Sequence, residues 1–179
     1  EPVDEWNMIM DDKNETILTK FYKNQSKYSF AFQMMAYISR LALLKKTVAE
    51  SPPHQVIITE RCLNTDREVF AKMLYENGMI GQVEYQIYLK WFYNFQCDYP
   101  IAKYLYLRTD PEVANERVLK RNRPGETIHI EYLTQCHMYH EKWLKNSNIS
   151  SDVITIDANE NEDKMNQWLS VVQSIIINK

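Results

Sequence analysis

Glycine is scarce in this chain, with Gly78, Gly81 and Gly125 as the only three in 179 residues. A phosphate-binding loop of the form GxxxxGK[ST] needs a glycine directly before a lysine, and none of the three is followed by lysine. The sequence therefore lacks this kind of loop. Because the chain also opens at Glu1 and not at methionine, we expect an N-terminal segment to be missing from it.

Cysteine and long apolar runs are also limited. Cys62, Cys97 and Cys136 are an odd number with no close pairing and no metal-ligand spacing, which argues against a disulfide framework or a zinc site. No run of about 18 apolar residues and no signal peptide is visible. We expect a soluble protein of a reducing compartment, with the cytoplasm as the predicted location and mitochondria or the nucleus left open.

Charge of one sign is not in excess either. The formal net charge is −3 and the isoelectric point is near 5.8, so neither a nucleic-acid backbone nor an anionic membrane would be attracted overall. Hydrophobic residues make up 45% of the chain, which is enough for a buried core. These values predict one domain over residues 1–179 with only local anion sites.

Apolar periodicity predicts strands that alternate with helices. This order predicts a parallel sheet covered by helices on both faces, and ligands of such sheets bind beyond the carboxyl ends of the strands. The predicted strands cover residues 54–60, 103–109 and 153–157. The predicted helices cover residues 29–46, 64–78, 81–96, 130–145 and 163–177. A further helix is predicted to begin at residue 110 and to end in the basic stretch 117–126.

Two groups of charged residues are candidates for phosphate chemistry. Glu60 and Arg61 directly follow the strand VIIT, where they could contact phosphate, metal or a reacting hydroxyl, or else form a salt bridge at the rim. Arg117 and Arg121 share one helix face with Lys120. Such cations suit a transferring phosphoryl group, although basic residues in a last helical turn are also commonly solvated.

A third candidate lies on the first long predicted helix. Gln33, Ala36 and Arg40 share one face, away from the apolar stripe that includes Phe30 and Ile38. A small residue between an amide and a guanidinium could admit a flat heterocycle and hydrogen-bond its edge. An ordinary solvent-facing surface is the alternative interpretation.

Aromatic residues and histidines, taken singly, are assigned to packing. The spacing of the two histidines superficially suggests a metal site, but no second ligand cluster with matching spacing accompanies them. We therefore predict packing or surface roles for the histidines. The side chains in question are Trp6, Tyr22, Phe32, Phe70, His137 and His140.

Five segments in order resemble motifs of the deoxynucleoside kinase family, in particular the deoxycytidine, deoxyguanosine and deoxyadenosine kinase branch. They are EPVDEW, FYKNQSKYSFAFQMMAYISR, ERCLNTDREVFAKML, YLRTDPEVANERVLKRNRPGE and EYLTQCHMYHEKWL. The resemblance implies an α/β, three-layer P-loop-kinase-like fold, with a parallel sheet flanked by helices. It also implies transfer of the γ-phosphate of ATP or another nucleoside triphosphate to the 5'-hydroxyl of a deoxynucleoside in nucleotide salvage.

The resemblance also implies residue roles. Glu1 would be the general base, with Arg61 holding the hydroxyl and that carboxylate, and Glu60 would help to bind Mg²⁺. The remaining roles would be base stacking by Trp6, Phe32 and Phe70; base-edge contacts by Gln33, Ala36, Arg40 and Asp66; sugar 3'-hydroxyl contacts by Tyr22 and Glu126; and a phosphate-binding lid of Arg117, Arg121 and Arg123.

Substrate choice and departures from the motifs follow from the same resemblance. The Arg40 and Asp66 pair accompanies use of deoxycytidine and purine deoxynucleosides in this family, so thymidine should be a poor substrate. Cys62 stands where the family usually has serine, and Gly125 replaces a lid acid. The first strand, phosphate loop and first helix of the family have no counterpart in this sequence.

Two other functions remain open at this point. One is a catalytically inactive relative that acts as a structural or assembly subunit, which the absent phosphate loop would suit. The other is a nucleoside monophosphate kinase such as thymidylate kinase, against which the carboxylate of EPV argues. A homodimer is expected for a family member, with the aromatic residues of helix 81–96 as a possible contact.

Overall fold

The computed structural model describes residues 8–53, 55–122, 128–146, 148–160 and 164–177. Two parallel strands, β1 (Tyr104–Arg108) and β2 (Val153–Asp157), form the sheet of this part of the chain. Their register runs from Tyr104 opposite Val153 to Arg108 opposite Asp157. Both strands end at the same edge, as the alternation of elements predicted.

Helices make up most of the described chain. The helices predicted from periodicity are all present, with bounds shifted by a few residues, and a short helix before them had not been predicted. They are α1 (Ile17–Lys23), α2 (Gln25–Glu50), α3 (Leu63–Thr65), a π-helix (Asp66–Ala71), α4 (Lys72–Glu76), α5 (Gln82–Phe95), α6 (Pro111–Arg121), α7 (Ile130–Leu144) and α8 (Met165–Ile177). No described helix has both the length and the apolar character needed to cross a bilayer.

Capping residues explain where several helices begin. The Asn24 side chain accepts a hydrogen bond from the Lys27 amide and starts α2, and Thr16 caps α1 in the same way. At α5 the Glu84 carboxylate reaches back to the Gly81 amide, at 2.8 Å. These local bonds fix where the helices begin.

Two apolar residues that recur at helical spacing on α2 and α5 lie outside the core. Ile38 is 44% exposed and Val83 is 70% exposed. The core clusters instead contain Phe21, Phe32, Ala36, Leu74 and Ile80 in one group and Tyr37, Leu63, Ala71, Tyr88 and Phe92 in the other. Phe30 and Met34 of the α2 stripe are partly buried against these clusters, so the stripe faces the core in part, because period alone does not say how far an apolar face turns inward.

The strand predicted over residues 54–60 was wrong for the described residues of that segment, 55–60. Residues 55–59 form no ladder with any described strand, and Ile58 is 61% exposed. A strand requires hydrogen-bonded neighbours, and a β-branched run indicates only that a segment can pair. The α/β class with a parallel sheet is nevertheless confirmed.

Candidate active site

A buried ion pair joins three elements near the end of the segment 55–59. Arg40 on α2 donates from Nε to Asp66 Oδ2 on the π-helix at 2.8 Å, and the side chains are only 8% and 3% exposed. A second nitrogen of Arg40 donates to the carbonyl oxygen of Glu60 at 3.1 Å. One guanidinium therefore holds α2, the π-helix and the Glu60-Arg61 turn in a fixed relation.

The same face of α2 supplies a buried floor. Phe32, Gln33 and Ala36 are all buried, so the solvent-facing interpretation of this face was wrong. The ring of Phe21 on α1 stacks on that of Phe32, with centroids 4.7 Å apart. An amide, a methyl group and an aromatic ring are thus buried on the same helix as the guanidinium, and side chains of these kinds suit recognition of a flat polar heterocycle.

The backbone at Arg61 is in the left-handed region, with φ of 61°. Residues other than glycine rarely adopt this conformation, and such strain concentrates at functional turns. The Thr59 hydroxyl donates to the Arg61 carbonyl oxygen at 2.7 Å, and the Arg61 guanidinium lies 4.7 Å from the centre of the Phe70 ring. The turn and the ring together hold this guanidinium beside Phe70.

The π-helix places Asp66 and Phe70 in the same site. π-Helices are rare overall, and those that do occur are often found at functional positions. The edge of Phe70 contacts the His140 ring on α7, and His140 in turn stacks on Tyr106 of β1 with an interplanar angle of 6°. His140 therefore packs beneath the site, as its predicted packing role required.

Burial keeps the sulfur and imidazole groups near the site neutral. It raises the pKa of the Cys136 thiol to about 12, although Arg61 opposes the shift. Burial likewise raises the pKa of Cys62 and lowers the pKa of His140. Thiolate nucleophiles are thus disfavoured here, because the thiolate is the reactive form of cysteine.

A cleft of about 790 Å³ opens between the α1–α2 junction, the end of α4 and the start of α7. Tyr22 lines it, and so does Tyr132, which the sequence interpretation had not singled out. Burial raises the pKa of Tyr132 well above its ordinary value, with Arg61 opposing the shift. The signal for Tyr132 was present in the EYL segment, but helical spacing alone gave it no role.

The predicted lid arginines lie on a surface helix. None of the described residues of α6 is buried, and Arg117 donates to the Glu160 carbonyl oxygen at 3.1 Å. The helix ends at Arg121, after which Asn122 adopts a left-handed conformation. The loop after β2, which carries Glu160, had not been predicted as part of the site, although its place at a strand's carboxyl end could have indicated it.

Several predicted residues lie outside the described part of the chain. They are Glu1, Trp6, Arg123 and Glu126. Glu60 is described and exposed. Among the described residues, no three histidine, cysteine or carboxylate side chains lie close enough together to hold a metal ion by themselves.

Comparison with known proteins identifies the fold and its chemistry. The family model for deoxynucleoside kinases matches residues 1–177. The chain belongs to the deoxynucleoside kinase family. It is a phosphotransferase that uses a nucleoside triphosphate as donor and a deoxynucleoside as acceptor, and this confirms the activity that the five motifs implied.

Individual relatives support membership of this family. Deoxycytidine kinase 2 of Gallus gallus is 30% identical over 93% of this chain and 74% of its own length. The deoxycytidine kinase of Homo sapiens is 31% identical over 94% of this chain and 70% of its own. A probable deoxycytidine kinase of fowlpox virus is 33% identical over 83% of this chain and 61% of its own length.

Proposed function

We propose that the kinase phosphorylates deoxycytidine or a purine deoxynucleoside and discriminates against thymidine. The observation that carries this proposal is the buried pair of Arg40 and Asp66. Cytosine and adenine present an exocyclic amine that a carboxylate can accept from, and guanine presents an oxygen that a guanidinium can donate to. Thymine presents no exocyclic amine to the carboxylate and sets its methyl group against the charged pair.

The base would lie between aromatic rings above the buried face of α2. Phe32 and Phe70 would stack on the base, with Trp6 as the predicted third ring and the amide of Gln33 as the edge contact. Ala36 leaves room for the base because its side chain is a single methyl group. Phe32 is supported from behind by Phe21, so the floor is formed before the substrate arrives.

The reacting hydroxyl would be held by Glu1 and Arg61. Attack on phosphorus requires a proton acceptor within hydrogen-bond reach of the 5'-hydroxyl, and the carboxylate of Glu1 is the predicted base. Arg61 would orient both partners from its fixed turn. Tyr22 in the cleft and Glu126 would bind the 3'-hydroxyl and so aim the 5'-hydroxyl at the donor.

The donor would be ATP or another triphosphate with Mg²⁺. Phosphoryl transfer depends mainly on positioning and on neutralising the charge of the transferred group, which Arg117, Arg121 and Arg123 of the lid would do. Mg²⁺ is commonly held by one or two carboxylates together with substrate phosphates. The exposed carboxylate of Glu60 fits that role, and the ion would supply further charge neutralisation.

A homodimer would cover the exposed face of α5. Val83, Ile87 and Trp91 are all exposed and recur at a spacing of one helical turn, which forms an apolar stripe of the kind that protein interfaces use. Sedimentation of the wild type and of Trp91→Glu tests this. A dimer that becomes a monomer in the variant supports the proposal, and a monomeric wild type contradicts it.

Competition among the four natural deoxynucleosides tests the acceptor assignment. We expect kcat/KM for thymidine to be at least about 100-fold below that of the best substrate, since a site built for hydrogen bonds rejects partners that leave it unpaired. Equal use of thymidine would contradict the role of the buried pair. Activity on a deoxynucleoside monophosphate alone would instead favour a monophosphate kinase.

Glu1→Gln tests the predicted base separately. The amide cannot accept the proton, so we expect turnover to fall by about 100-fold or more while deoxynucleoside binding, measured by calorimetry, is largely kept. Unchanged steady-state turnover would remove Glu1 from the mechanism and leave the acceptor assignment intact.

A further inference from the structure

The first turn of the lid helix α6 is bonded to the loop after β2. The backbone amide of Asp110, the residue before the helix, donates to the Asn159 side-chain oxygen at 2.7 Å. The Asn159 side-chain nitrogen donates back to the Asp110 carboxylate at 3.0 Å. The two residues lie far apart in the sequence and form a reciprocal pair in space.

Asp110 stands at the N-cap position but its side chain makes no capping hydrogen bond. An aspartate there normally accepts from an amide of the first helical turn. Its carboxylate instead contacts Asn159 and the guanidinium of Arg108, the last residue of β1, at 2.9 Å. The usual local bond has been replaced by two bonds that tie the helix to the sheet edge.

The loop that receives these bonds is itself fixed to the sheet. The Ala158 amide donates to the Arg108 carbonyl oxygen at 2.8 Å, which continues the hydrogen bonding of the two strands. The Asn159 amide donates to the Asp157 carboxylate at 3.0 Å. Since Ala158 is also buried, the loop provides a firm reference point for the helix.

The same loop contacts α6 a second time. Arg117, about two turns along the helix, donates to the Glu160 carbonyl oxygen, next to the residue that holds Asp110. Contacts at both points fix the direction of the helix axis as well as the position of its first turn. At its base the helix is therefore oriented by Asp110 and Asn159, which do not themselves carry the proposed lid chemistry.

We propose that Arg108, Asp110 and Asn159 form a lid-base clamp, a set of positioning residues that orients α6 so that its arginines meet the donor phosphates. The proposal rests on the proposed lid function of Arg117 and Arg121. The clamp residues touch each other and the sheet edge, so their effect on the reaction passes through the helix. Their disruption should weaken donor use and leave acceptor use unchanged.

An exchange of charge and amide tests the clamp in the full chain. Asn159→Asp places two carboxylates in contact, and we expect the KM for ATP to rise by about fivefold to tenfold with the deoxynucleoside KM within about twofold of wild type. The double variant with Asp110→Asn and Asn159→Asp restores one amide and one carboxylate. Its KM for ATP should return most of the way to the wild-type value, which a merely structural defect would not do.

The control is Glu112→Gln, which changes an exposed carboxylate on the first turn of the same helix and should leave both KM values unchanged. A double variant no better than Asn159→Asp would overturn the clamp, as would equal losses for donor and acceptor. If Asn159→Asp does not fold, Asn159→Ala, which introduces no charge, should raise the KM for ATP by about threefold. An unchanged donor KM in that variant would overturn the proposal.

The lid itself is tested by Arg117→Ala. If this variant raises the KM for ATP and the Asn159 variants do not, the clamp alone is wrong and the lid function stands. If Arg117→Ala and Arg121→Ala both leave donor kinetics unchanged, the proposed lid function is wrong, and the clamp fails with it because it would have nothing to position.

Discussion

The proposed acceptor site and the proposed lid of this kinase are built in opposite ways. The side chains of Arg40 and Asp66 are buried, and their bonds join groups on three different elements. The lid helix α6 has no buried residue, and its described fixed points lie at its base and at Arg117. The proposed acceptor site is therefore built from buried groups, whereas the proposed lid helix is bonded at its base and at Arg117 and is only partly buried along its length.

The difference has a physical basis in what each region must recognise. A base edge is read by a few groups in fixed positions, and buried groups keep their positions because any displacement would leave them unpaired. A phosphoryl group passes from donor to acceptor with spread charge, and cations on an exposed helix can approach it and withdraw. Stability and acceptor recognition should thus be coupled, while stability and donor recognition should be separable.

The largest expected effect is on the buried pair. Asp66→Ala leaves the Arg40 guanidinium buried without this carboxylate, which costs about 3–5 kcal/mol of unfolding free energy and should impair acceptor binding at the same time. Urea unfolding and deoxynucleoside titration measure the two effects. Asp12→Ala, an exposed carboxylate, is the control and should be close to wild type. A stable Asp66→Ala variant would break the proposed coupling.

The lid should show the reverse behaviour. Arg117→Ala should raise the KM for ATP by about tenfold, the loss of one charged hydrogen bond, with an unfolding free energy within about 0.5 kcal/mol of wild type. Lys120→Ala on the same helix is the matched control and should change donor kinetics much less. A lid variant that lost as much stability as Asp66→Ala would remove the contrast between the regions.

The strained backbone at Arg61 offers a smaller and more specific test. Glycine has no side-chain penalty at φ of 61°, so Arg61→Gly should be more stable than Arg61→Ala by about 1 kcal/mol, although both should lose turnover. Lys45 is an exposed position within α2. There Lys45→Ala should be more stable than Lys45→Gly, since glycine is the poorer helix former by about 1 kcal/mol. Denaturant unfolding of the four variants decides, and the same order at both positions would contradict strain at Arg61.

The smallest effect expected is a pH dependence from His140 beneath the acceptor site. Burial lowers its pKa; the Cys136 carbonyl and Glu141 oppose the shift, and Arg61 and His137 reinforce it. The unfolded chain therefore binds a proton more readily than the folded one. The stabilisation is complete above the ordinary value of 6.5 and is lost as the pH falls toward the lower pKa of the folded state.

His140→Phe keeps a ring between Tyr106 and Phe70 but removes this titration. Between about pH 7.5 and about pH 5, its unfolding free energy should fall less than that of the wild type. His129→Gln, at an exposed position, should retain the wild-type dependence. Parallel pH curves for the wild type and His140→Phe would show that the histidine does not contribute.

The limits of sequence-based prediction are clear at two places. The β-branched run at 54–60 was predicted as a strand, yet its described residues pair with no described strand, since pairing depends on a neighbour that the run itself does not encode. On α2, both faces are partly apolar, and the face with Gln33 and Arg40 packs inward. Only the arrival of Asp66 on another element makes that burial favourable.

Most candidate site residues could be named from motif order, but their contacts could not. The reciprocal bonds of Asp110 and Asn159 link positions at the ends of different strands, and neither residue had been predicted as part of the site. The single-domain prediction and the roles of all the candidate site residues stay predictions, and Glu1, Trp6, Arg123 and Glu126 lie outside the described residues.

The order of apolar runs, caps and spaced motifs determined the α/β class, the helices from α2 onward, both strands and the family, because these depend on local periodicity and on residues near each other in the chain. Tertiary structure decided which helix faces are buried, that Arg40 meets Asp66, and that the residue before α6 is hydrogen-bonded to the loop after β2. Burial and pairing are properties of surfaces brought together, and a single segment carries only one side of each contact.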